Sequence, residues 1–145
     1  MIDVRDVAAA DEAAWRALWD GYLEFYGRAL DPSVTAATWS RLLEPGPMSG
    51  LVAVDGDRVV GLANYLLHPS TWSRADSCYL EDLFVAPATR GRGAGRALIE
   101  ALAARARERG WRHVYWHTEG GNRAARALYD GFASADGFVR YMLAP

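Results

Sequence analysis

The chain has 145 residues, 51% of them hydrophobic, and a formal net charge of −2, the balance of one domain spanning 1–145 that buries about 68–70% of its unfolded surface without disulfide or metal. Cys78 is the only cysteine and all sixteen basic residues are arginine, which excludes an internal disulfide framework, Schiff-base lysines and the lysine of an ATP-binding P-loop. No apolar run approaches the ~18 residues of a membrane span, and the acidic, alternating Met1–Asp6 does not read as a signal peptide, so a cytoplasmic location is expected.

In chain order, the alternation from Ile2 to Val7 predicts a half-buried strand. Asp11 is placed to cap a helix reaching about Tyr26, with Trp15, Leu18, Trp19, Tyr22 and Phe25 at helical spacing, and Gly27 is placed to end it. Asp31-Pro32 opens a second helix ending near Leu43. Leu51–Val54, the turn Asp55-Gly56-Asp57 and Val59–Ala63 predict a hairpin whose second arm continues toward Leu67. His68 to Ser73 reads as a loop and Ser77–Val85 as a further strand. A helix from about Gly93 to Arg109, capped by Gly110, is followed by a strand over His113–Thr118. Asn122 is placed to cap a last helix, and Phe138–Leu143 reads as a final strand. The order β-α-α-β-β-β-α-β-α-β describes an α/β domain with a mixed sheet of six to seven strands and about four helices.

The near-neutral total hides an asymmetry. Residues 1–89 carry six arginines and thirteen acids, whereas residues 90–126 carry nine arginines and three acids. This is either scattered solvated charge or the footprint of an anionic ligand on the later segment and a cationic one near the earlier. The later segment contains Arg90-Gly91-Arg92-Gly93-Ala94-Gly95-Arg96 between a strand and a helix start. Free backbone N–H groups, the helix dipole and close glycine backbone suit it to an anion, and its length suits a diphosphate. Arg96 follows Gly95 where a P-loop has lysine and where a dinucleotide fingerprint has its third glycine, so neither pattern is met.

Leu80-Glu81-Asp82-Leu83-Phe84-Val85-Ala86-Pro87-Ala88-Thr89 followed by the glycine loop resembles the acetyl-CoA signature of the GNAT family of N-acetyltransferases; Arg90, Gly93 and Gly95 fit its pattern, and Asn122–Tyr129 resembles a second signature. The element order matches that fold along the whole chain. The resemblance implies that acetyl-CoA is the co-substrate, with no metal. Its pyrophosphate would be held by Arg90, Gly91, Arg92, Gly93, Ala94, Gly95 and Arg96, its pantetheine arm would pair with Leu83, Phe84 and Val85, and Asn122 would contact it from the last helix.

The resemblance also implies Tyr129 as the general acid for the departing thiolate. Tyr129 lies seven residues after Asn122, close to two helical turns, so the two share a face. It implies Glu81 as the acceptor of the amine proton. Alternation along a regular strand puts the neighbouring Asp82 on the opposite face, where it is structural or orients the substrate. Glu24 and Tyr26 suit a cationic acceptor by charge alone. A backbone N–H near Leu83 or Phe84 is the candidate oxyanion donor. His113 and His117 share a strand face but stand about 13 Å apart, so with His68 they make no metal set. Two Gly-Phe pairs follow Tyr129, at 131–132 and 137–138; the second, continuing Val139-Arg140-Tyr141, resembles a subgroup acting on polyamines, amino-acid side chains or histone-like tails. The expected partners are a small-molecule amine and a second copy of the chain, with no nucleic acid or membrane. The alternatives are a protein or peptide N-acetyltransferase and a non-catalytic acyl-CoA-binding regulatory domain.

Overall fold

In the computed structural model, which describes residues 1–145, the first four strands form an antiparallel meander and the fifth joins it in parallel. Strands β1 (Ile2–Asp6), β2 (Met48–Asp55), β3 (Arg58–Ser70), β4 (Ser73–Val85) and β5 (Val114–Tyr115) lie side by side in that order. Helices α1 (Glu12–Phe25) and α2 (Pro32–Leu43) cover one face; α3 (Ala94–Arg109) covers the other, and α4 (Arg123–Tyr129) flanks its glycine end. This is the expected α/β class with four helices, but with five strands.

Each face has its own core. On one, Trp15, Leu18 and Trp19 of α1 meet Trp39 and Leu42 of α2 over Leu62 and Phe84 of the sheet. Trp15 stacks on Trp19 with centroids 5.3 Å apart, and burying rings of this size dominates the energetics of the layer. On the other face, Leu98, Ile99 and Leu102 of α3 pack on Leu51, Ala53, Ala63, Cys78 and Leu80. Burial pushes the Cys78 thiol up to about 12, so it is an inert core group.

Three expectations are corrected. The segment His68–Ser73 is not a loop: β3 runs through Ser70 and a two-residue turn at Thr71-Trp72 starts β4 at Ser73. Pro69 is tolerated because the register skips there, between His68 and Ser70, where no ladder N–H is required. Strand β5 has two residues rather than six, because β4 and β5 separate after Tyr79 and Tyr115. Phe138–Leu143 forms no strand; with no partner edge beside it, its Phe138, Tyr141 and Leu143 are 88%, 91% and 95% exposed.

The Asp11 side chain also acts differently from a simple cap. It accepts both guanidinium N–H groups of Arg5 at 2.7 and 2.8 Å and the backbone N–H of Ala8 at 2.8 Å, tying β1 to the start of α1. Asp31 does cap α2, accepting from the Ser33 N–H at 2.8 Å.

Candidate active site

The glycine loop opens α3 as the sequence implies. Gly91 and Gly93 have φ of +79° and +90°, a left-handed backbone that side-chain-bearing residues rarely adopt. A Cβ on either would meet nothing within 4 Å, so conformation, not crowding, requires glycine at both. Gly93 precedes the helix without a side-chain cap, leaving the first-turn N–H groups of Ala94, Gly95 and Arg96 without intrahelical partners. They border a cavity of about 500 Å³.

The three loop arginines are not equivalent. Arg92 pairs with Asp55 at 2.8 Å and lies outside the cavity lining. Arg90 donates from Nε to the Val85 carbonyl at 3.1 Å and lies 5.3 Å from the centre of the Phe84 ring. Arg96 sits 4.9 Å over Phe132. Arg90 and Arg96 line the cavity, so the anion site is a row of backbone donors flanked by two cations.

One wall of the cavity is the end of β4. Leu83, Phe84 and Val85 pair with Ala63, Leu62 and Gly61 of β3 on one side. On the other side β5 has already diverged, so this edge of β4 has no strand partner. All three residues line the cavity, and an extended amide-bearing arm can complete that edge as a strand would. The donor residues present therefore fit acetyl-CoA: a cradle for a diphosphate, and beside it an unpaired strand edge for the pantetheine amides.

Asn122 and Tyr129 lie at the two ends of α4 and both line this cavity. Asn122 Oδ1 accepts the Ala125 N–H at 3.2 Å, so its carbonyl caps the helix and its NH₂ is the group left for a ligand. The Tyr129 ring packs edge-on against Trp116, and burial raises its phenol above the ordinary range, helped by the neighbouring Tyr26. A raised phenol stays protonated at neutral pH, the state a general acid needs.

The carboxylate pair departs from the expectation. Asn64 pairs with Asp82 and Tyr65 with Leu80, so Glu81 is an extra residue in a β-bulge. Cys78 and Leu80 face α3 before it; after it, Leu83 and Val85 face α3 while Phe84 faces α1. Alternation onward from Leu80 puts Glu81 on the α1 side, and alternation back from Leu83 puts Asp82 there too. The two acids share one side of the sheet, contrary to simple alternation. Glu81 is exposed, whereas Asp82 is largely buried and its carboxyl is pushed up to about 6 by that burial.

Tyr26 lines the cavity beside Tyr22, their ring centroids 5.0 Å apart. Glu24 does not join them; it is exposed in a separate groove beyond Phe25 and Phe84. Burial raises the Tyr26 phenol, and the charge of Glu119 adds to it; nothing in the spacing of Glu119 tied this acid to α1. The three histidines all pack within 5.4–6.1 Å of the Tyr115 ring, with His68 Nε2 2.8 Å from its hydroxyl, and no group of three or more His, Cys, Asp or Glu residues is placed to hold a metal.

The profile of the Acetyltransferase (GNAT) family matches residues 12–132. The chain belongs to the GNAT family. It is 36% identical over 144 residues to the D-amino-acid N-acetyltransferase HPA3 of Saccharomyces cerevisiae, covering 97% of this chain and 89% of that protein. It is 33% identical to the uncharacterized N-acetyltransferase YhfO of Bacillus subtilis, covering 98% and 97%. The fold superposes with a TM-score of 0.83 on AAC(6')-Iy in complex with the bisubstrate analog CoA-S-monomethyl-acetylneamine, at 19% identity over 100% of this chain and 99% of that one. This GNAT protein is an acetyl-CoA-dependent N-acetyltransferase.

Proposed function

We propose that this GNAT enzyme acetylates the primary amine of a small, cationic acceptor by direct attack, with Tyr129 as general acid and Glu81 receiving the first amine proton. The observation that carries this reading is the continuity of one cavity from the glycine loop to Tyr129, walled by Tyr22 and Tyr26. The donor binds at one end through Arg90, Gly91, Gly93, Ala94, Gly95, Arg96 and Asn122 and along Leu83–Val85; Arg92 supports the loop from behind through Asp55. At the other end Asp82 and Glu119 act on Tyr26, and Glu81 is open to solvent beside Asp82. Three carboxylates around two tyrosine hydroxyls favour an ammonium group over an anion.

An ammonium of pKa about 10.4 must lose a proton before it can attack. Exposed Glu81 passes that proton to water. As the thioester carbon–sulfur bond breaks, the Tyr129 hydroxyl gives its proton to the leaving sulfur. Backbone N–H groups at the open edge of β4, near Leu83 or Phe84, stabilise the carbonyl oxygen as it gains charge. The relative HPA3 is named for acetylating D-amino acids, whose amine is of this type.

The exposed C-terminal segment supports a homodimer. Phe138, Val139, Tyr141, Met142 and Leu143 together expose more apolar side chain than a monomer keeps in contact with water. The unpaired outer edge of two-residue β5 offers the same segment of a second copy a place to pair. No helix is long and apolar enough to cross a membrane, which fits a cytoplasmic enzyme using acetyl-CoA.

A thiol-release assay with acetyl-CoA across polyamines, amino acids of both hands, aminoglycosides and peptides tests the reading. Turnover is expected with small amines. Turnover with peptides alone would replace the acceptor class, and acetyl-CoA binding without any acceptor would leave a binding domain.

A further inference from the structure

Beneath the acceptor end lies a buried polar chain that the roles of Tyr129 and Glu81 leave unused. The Trp15 indole N–H donates to Asn64 Oδ1 at 3.4 Å, and Asn64 Nδ2 donates to Asp82 Oδ2 at 3.1 Å. Asn64 is 2% exposed. Because an indole N–H is only a donor, Trp15 fixes which way the Asn64 amide points, and Asp82 meets a donor. The Tyr22 hydroxyl faces the same carboxylate from α1. Asp82 joins none of the chain's ion pairs, so its charge is held by neutral groups alone. A carboxylate buried in this way without a cation is costly to keep charged, and such groups gather where protons move.

Acetylating an ammonium removes two protons from nitrogen. The first leaves before attack; the second leaves when the nitrogen has bonded to the acetyl carbon. Glu81 is suited to the first because it is open to water. We propose that Asp82 accepts the second through the Tyr22 hydroxyl, since Tyr22 lines the cavity and Asp82 does not. The N–H bond breaks as its proton passes to the Tyr22 oxygen, while the Tyr22 proton passes to an Asp82 oxygen. Tyr22 ends unchanged, Asp82 ends neutral and the nitrogen ends as a neutral amide. Tyr129 meanwhile protonates the sulfur, and after product release Asp82 loses its proton to water and Tyr129 regains one. The net result is amide, thiol and one proton from ammonium and thioester.

Asp82 acts through Tyr22 and is a positioning and proton-accepting residue. The ionisable groups that face it are Tyr22 from α1 and Glu81 on its own strand; Tyr26 and Tyr79 lie near enough for its charge to act on them. Burial sets its carboxyl near 6, so it is ionised and able to accept at neutral pH and loses that capacity as pH falls below 6.

The inference rests on the amine-acetyltransferase reading, and two experiments separate their failures. Carbon-13 titration of the aspartate carboxyls needs no acceptor: one carboxyl titrating near 6 is expected, missing in Asp82→Asn and still present in Tyr22→Phe. A titration of Asp82 in the ordinary aspartate range overturns the inference whether or not any amine turns over. In the pH profile of kcat, the wild type loses activity as pH falls through that ionisation. Asp82→Asn removes this limb and lowers kcat by roughly 10²-fold, and Tyr22→Phe lowers kcat by roughly ten-fold or more, both with acetyl-CoA affinity within two-fold of wild type. Glu81→Gln instead lowers kcat/KM for the acceptor and leaves the kcat limb in place. An unchanged acid limb in Asp82→Asn, or full kcat in Tyr22→Phe, overturns the proposal. Titration near 6 with no acceptor turned over would count against the acceptor class alone.

Discussion

The Tyr129 ring stands edge-on to Trp116, centroids 5.5 Å apart and planes at 63°. This contact orients a phenol that sits on the last residue of α4 and makes no hydrogen bond to the protein. Tyr129→Phe keeps the ring contact and removes only the hydroxyl. The expected result is unchanged acetyl-CoA affinity by calorimetry and a loss of ten-fold or more in kcat. Turnover equal to wild type would remove Tyr129 from the acid role. Trp116→Ala tests the orienting contact, and is expected to lower kcat through a loosened ring and to cost about 1–2 kcal/mol of stability from lost aromatic packing.

Gly93→Ala places a Cβ in open space but forces a left-handed backbone on alanine, at about 1–2 kcal/mol. Relief of that strain would rotate the peptides that present the first N–H groups of α3. Acetyl-CoA affinity is expected to fall more than ten-fold, with a smaller loss of thermal stability. Gly95→Ala has a different cost, because its Cβ would lie 3.2 Å from Leu128 Cδ2 and press on α4. Isothermal titration of both variants separates a distorted loop from a displaced helix.

Asp82 also sets a stability trend with pH. Its folded carboxyl titrates near 6, above the unfolded value of 3.8, so the folded state binds its proton more tightly. Protonated at pH 4 or below, it carries no penalty; as pH rises through 6 the buried charge costs on the order of 2–3 kcal/mol. Asp82→Asn is therefore expected to raise the unfolding midpoint relative to wild type at pH 7.5, with the difference fading at pH 4. Urea melts at the two pH values read this directly, and a variant less stable at both would contradict it.

The Arg5–Asp11 pair has the opposite sign. Hydrogen bonding to Arg5 holds the Asp11 carboxyl below its usual value. Its contribution is full above the unfolded value and is lost as pH falls through the folded one. Asp11→Ala leaves the Ala8 N–H and the Arg5 guanidinium without their acceptor, at roughly 2 kcal/mol near pH 7. Chemical denaturation at pH 7 and pH 3 should show the gap between variant and wild type narrowing in acid.

Helices were legible where a cap and an apolar stripe agreed, as in Pro32–Leu43 behind Asp31 and Ala94–Arg109 behind the glycines. The donor half of the site was legible for the same reason: it is one continuous segment. The acceptor half is assembled from Tyr22 and Tyr26 on α1, Asn64 on β3, the bulge at Glu81 and Glu119 before α4, positions with no common period. The sequence did carry one local signal for it, a lone amide in the apolar run Leu62-Ala63-Asn64-Tyr65. The bulge carried none, since a one-residue skip leaves composition untouched and reverses every face that follows. The missing last strand is a matter of partners: Phe138–Leu143 has the alternation of a strand and no edge of its own chain beside it.

The bulge at Glu81 works as a phase joint between two halves of one strand. Upstream of it, odd and even positions belong to one assignment of faces; downstream they belong to the other. Deleting Glu81 alone would close the skip and leave Asp82, Leu83, Phe84 and Val85 on the faces they now hold, whereas flattening the bulge with Glu81 retained would swing Asp82 onto α3, drive Phe84 out of the tryptophan layer and turn Leu83 and Val85 toward it. Donor wall and acid pair are therefore geared together, and the bulge cannot be flattened to retune the acceptor side while leaving the donor side at rest.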